Sequence, residues 1–89
     1  MSVQTRNHLV ELLLSLRQRL LDAREKNDKT QLSYLKITFG TLIEAAYTTE
    51  DKALIAILVD LEDAARDSIT GVDWKSSIPS IEVIEKSCV

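Results

Sequence analysis

The chain has 89 residues, a net charge of −3, 45% apolar and 28% charged residues, and a single cysteine, Cys88. This length makes one domain with a thin core, and one cysteine excludes an intrachain disulfide. A pI near 5.0 and 4% aromatic residues argue against strong sequence-specific binding of nucleic acid.

With only 2 Gly and 1 Pro, the chain offers little turn chemistry. Leu, Ile, Ala, Glu, Asp, Lys and Arg dominate, and most of these favour helices. We therefore expect residues 1–89 to form a single all-α domain. Its architecture is a compact antiparallel three-helix bundle with a short fourth C-terminal element, because short connections favour antiparallel neighbours. The longest apolar run, Ala53–Val59, is seven residues, whereas a membrane span needs roughly 20. The start is polar and unlike a signal peptide. No membrane association and a cytoplasmic location are expected.

The first helix is expected over about 5–26. Leu9, Leu12, Leu13, Leu16, Leu20 and Ala23 share one stripe at 100° per residue. Val10, Leu14 and Leu21 form a second stripe, with Arg17 and Arg24 between the two. So wide an apolar arc needs two neighbours, or one neighbour and another subunit. Arginine forks suit carboxylates and phosphates. Arg17 and Arg24 are thus candidates for contact with a partner or an anion, or for pairing with acids of the third helix. Partly shielded charges of this kind require an acidic counterpart.

Asn27-Asp28 interrupts the pattern, and Asp28 with Gln31 resembles a capping box. The second helix should span 29–47, with Leu32, Leu35, Phe39, Leu42, Ile43 and Ala46 inward. Tyr34, Thr38, Thr41 and Ala45 cluster on the opposite side, with Gly40 nearby. Small and hydroxyl residues there permit close helix approach or offer hydrogen bonds to a ligand. Tyr34, Thr38 and Thr41 are candidate contact residues.

Thr48 and Asp51 have helix-start spacing, which places the third helix over about 50–69. Ala53, Leu54, Ile57, Leu58, Leu61, Ala64 and Ala65 make its stripe, while Ile55 and Val59 face elsewhere. Val10, Leu14, Leu21, Ile55 and Val59 are together the candidate interface of a homo-oligomer, most simply a dimer. Gly71 should end this helix, followed by a loop over 72–77. Ser77 is expected to cap a short element over about 78–87 with Pro79 in its first turn. Ile78, Ile81 and Ile84 give that element an apolar edge.

No catalytic, cofactor or metal site is expected. His8 is the one histidine, and no second histidine or cysteine stands at ligand spacing. Gly40 and Gly71 are too far apart for a phosphate loop. Asp60, Asp63 and Asp67 share a face that reads as solvated, with Glu62–Arg66 as a surface pair. The terminal Ser87-Cys88-Val89 has the form of a PDZ-domain ligand, a pattern of little information. Residues 1–36 carry +3 and residues 37–89 carry −6, so the two halves should attract one another.

Leu21-Asp22-Ala23-Arg24-Glu25-Lys26-Asn27-Asp28, followed by Gln31-Leu32-Ser33-Tyr34-Leu35-Lys36, resembles the N-terminal helical part of GatB/YqeY-type proteins. Thr49-Glu50-Asp51 and Ala65-Arg66-Asp67-Ser68-Ile69 resemble that family's third helix, although the family's helix is basic and this one is acidic. The resemblance covers about residues 10–70 and implies an accessory role in tRNA handling beside glutamine-dependent amidotransferases. Three readings follow. The first is a non-enzymatic helical module that self-associates and binds or regulates a protein partner. The alternatives are a tRNA-associated accessory domain and a binder of small anionic ligands formed between subunits.

Overall fold

A computed structural model describes residues 3–71 and 78–87. Among these residues four helices follow in order: α1 (Val3–Glu25), α2 (Lys29–Tyr47), α3 (Lys52–Thr70) and α4 (Ile81–Ser87). The described residues contain no strand. The expected loop at 72–77, Ser77 within it, and Cys88 and Val89 lie outside the described residues.

Local chemistry sets the ends of the helices. The Asp28 carboxylate accepts from the Gln31 amide at 3.0 Å and starts α2, as the capping pattern requires. The Asp51 carboxylate accepts from the Leu54 amide at 3.1 Å, so α3 begins later than its acidic turn suggests. The Thr48 and Thr49 hydroxyls instead close α2, donating to the carbonyls of Ala45 and Ala46 at 2.7 Å each. Gly71 ends α3 with φ 86°, its amide bonded to the Asp67 carbonyl at 2.9 Å. That left-handed backbone favours glycine. Ser80 caps α4: its hydroxyl accepts from the Val83 amide at 3.1 Å. The expected first turn around Pro79 therefore lies ahead of the helix.

The core is one cluster. Leu13, Leu20, Leu32, Phe39, Leu61 and Ile84 are fully buried, with Leu16, Leu35, Ile43, Leu54, Ile57 and Leu58 beside them. Four predicted stripe members of the three long helices depart from it. Leu12 is 44% exposed, Ala53 is exposed, and Leu9 and Leu42 are half-buried, because a small bundle closes over only part of each helix. α2 and α3 pack most extensively on one another; α1 lies against both, and α4 lies against α1 and α3. The Lys29 ammonium at the start of α2 donates to the Ile69 carbonyl near the end of α3 at 2.7 Å. This fixes the antiparallel arrangement and sets a cation where the α3 dipole is negative.

Candidate functional site

The outer side of α2 carries the most unusual surface. One arc of the helix is buried through Leu32, Leu35, Phe39, Ile43 and Ala46. At 100° per residue, the opposite arc comprises Tyr34, Ile37, Thr38, Thr41 and Ala45. Tyr34 is 67% and Ile37 70% exposed. Tyr34, Ile37, Thr38, Thr41 and Leu42 line a shallow hollow of about 310 Å³. The structure thus brings the three predicted contact residues together and adds Ile37, three residues from Tyr34, which sequence reasoning had not weighed. Its signal was its angular position beside Tyr34.

The hydroxyls on this face are less available than their residue types suggest. Thr38 Oγ1 donates to the Tyr34 carbonyl at 3.0 Å, and Thr41 Oγ1 to the Ile37 carbonyl at 3.1 Å. Each proton is engaged within α2, leaving only acceptor capacity for a ligand. The face is therefore more apolar in practice than in composition.

Leu42 continues this surface into a second groove of about 240 Å³, between Leu9 and Leu13 of α1, Leu42, Ala45 and Ala46 of α2, and Leu54 and Leu58 of α3, with Thr49. The lining is aliphatic apart from Thr49. A third hollow holds Arg19, Asp22, Ala23, Lys26, Asp28 and Gln31. Its two bases are balanced by two acids, so it is not built for anions.

Arg17 and Arg24 are both half-buried on α1. Arg17 Nε donates to the Pro79 carbonyl at 2.8 Å; this partner is a neutral backbone oxygen, where an acid was expected. Arg24 lies in the last turn of α1 and has an interaction of its own. Val10, Leu14, Leu21, Ile55 and Val59 are all half-buried, and all but Leu21 pack against the core.

His8 is exposed. Among the described residues, no group of three His, Cys, Asp or Glu is placed to hold a metal ion, and no helix is long and apolar enough to cross a membrane. On α3, Arg66 pairs with Glu62 at 2.6 Å and with Asp63 at 3.4 Å. The Asp60 carboxyl is held above the ordinary aspartate range, first by partial burial and then by the charge of Asp63. Scans of protein-family models, curated proteins and solved structures found no match to this chain.

Proposed function

We propose that the protein is a non-catalytic helical interaction module that self-associates through the outer face of α2 and binds or regulates a protein partner. The observation that carries this reading is the exposure of Tyr34 and Ile37, side by side on one helix. Covering what remains exposed of Ile37 is worth roughly 1–2 kcal/mol, and this is gained only on association. The arc Tyr34, Ile37, Thr38, Thr41, Ala45 carries no charge, so two copies meet without repulsion. Its bulky residues lie toward the N-terminal end and its small ones toward the C-terminal end. A two-fold axis across α2 then sets Tyr34 and Ile37 of one copy against the Ala45 and Thr41 end of the other, large over small.

Sedimentation velocity tests this reading. The wild-type chain should sediment as a dimer, and Ile37→Glu as a monomer whose stability changes by no more than about 0.5 kcal/mol, as for an exposed position. A wild-type monomer at high concentration would overturn the proposal. Salt-dependent tRNA binding by that monomer would favour the role implied by the GatB/YqeY-type resemblance.

A further inference from the structure

Of the four helices, α4 is held by the fewest anchors. It touches α1 and α3 and, among the described residues, does not pack on α2. Three points secure its segment: Ile84 is fully buried, Ile78 packs on the edge of the core, and the buried Pro79 offers its carbonyl to Arg17 Nε at 2.8 Å. The remainder faces outward, with Ile81 and Val83 about half exposed and Ser80, Glu82, Glu85 and Lys86 exposed. A helix of seven residues does not persist in water alone. Its order comes from those anchors, and elements held in this way open locally while the rest of a domain stays folded.

We propose that α4 is a detachable cover over a helix-docking groove between α1 and α3, and that this groove receives a short amphipathic helix from a protein partner. The seated segment is the template for that partner. It places one branched aliphatic side chain in the core and, five residues earlier, an oxygen on a half-buried guanidinium. The Pro79 carbonyl is a neutral acceptor. A carboxylate at that point adds an ion pair to the charged donor already present and can accept from a second guanidinium N–H. A partner helix with a residue like Ile84, preceded by an acid at the place of Pro79, therefore competes with α4 for the groove. The partner's role rests on the interaction-module reading, but the groove is separate from the outer face of α2.

The test uses the full chain and two labelled peptides: residues 78–87, and the same peptide with Pro79→Asp. In the wild type, hydrogen exchange should be about tenfold or more faster at the α4 amides than in α2 and α3. Ile84→Asp should release α4 and leave α2 and α3 protected. Fluorescence anisotropy should then show this variant binding the first peptide about tenfold or more tighter than the wild type does. The Pro79→Asp peptide should bind tighter still, and lose that advantage when Arg17→Gln is added to the Ile84→Asp chain. Exchange of α4 in step with the core, unfolding of the whole chain by Ile84→Asp, or a folded variant that binds neither peptide would each overturn the proposal. Ile37→Glu should leave peptide capture intact, so failure of the α2 dimer and failure of the groove are read separately.

Discussion

Asp60 and Asp63 stand one turn apart on α3, and the raised pKa of Asp60 has a defined consequence. The folded state holds this proton more tightly than the unfolded state does. Stability from this group is therefore lost as pH rises from the unfolded pKa through the raised folded one. At neutral pH the ionised carboxylate opposes folding slightly. Asp60→Asn should raise Tm at pH 7, and this gain should fade toward pH 3, where the carboxyl is protonated in both states; thermal melts at the two pH values check it. Neither this shift nor the partner of Arg17 was legible in the sequence. The apolar flanks of Arg17 foretold a shielded guanidinium, and the structure leaves it half-buried. Its acceptor is a backbone carbonyl 62 positions away, and a carbonyl has no signature in a list of side chains.

Among the elements, those with local signals were the most readable. Asp28 and Gly71 cap the helices that their types and positions predict. The start of α4 was less legible: Pro79 was expected in its first turn, whereas the helix begins at Ile81 with Ser80 as its cap. The turn joining α2 to α3 carries strain at one residue: Glu50 has φ 58°, a left-handed conformation costly for a side chain with Cβ. Glycine adopts it freely. Glu50→Gly should therefore stabilise the fold by about 0.5–1 kcal/mol, seen as a Tm a few degrees higher. A lower Tm would mean that the Glu50 side chain does more for the turn than its backbone costs.

For the whole molecule, periodicity made the all-α bundle legible, since each of the three long helices shows its buried stripe in the spacing of its leucines and isoleucines. The candidate surface was half legible: Tyr34, Thr38 and Thr41 stood out by type, whereas Ile37 looks like any core residue until its angle on α2 is set against the buried arc. The charge difference between the halves was read as mutual attraction. In the fold, two bases of the first half, Arg17 and Lys29, donate to backbone carbonyls of the second, at Pro79 and Ile69. The unequal packing of the helices also orders events in time. α2 and α3 share the largest contact and are joined by a short turn, so their pairing closes a small loop at low entropic cost. This hairpin should form the transition state for folding, with α1 docking on the downhill side. Leu61 of α3 and Leu20 of α1 are both fully buried, yet their truncations should differ in stopped-flow kinetics: Leu61→Ala should mainly slow refolding, and Leu20→Ala should mainly speed unfolding.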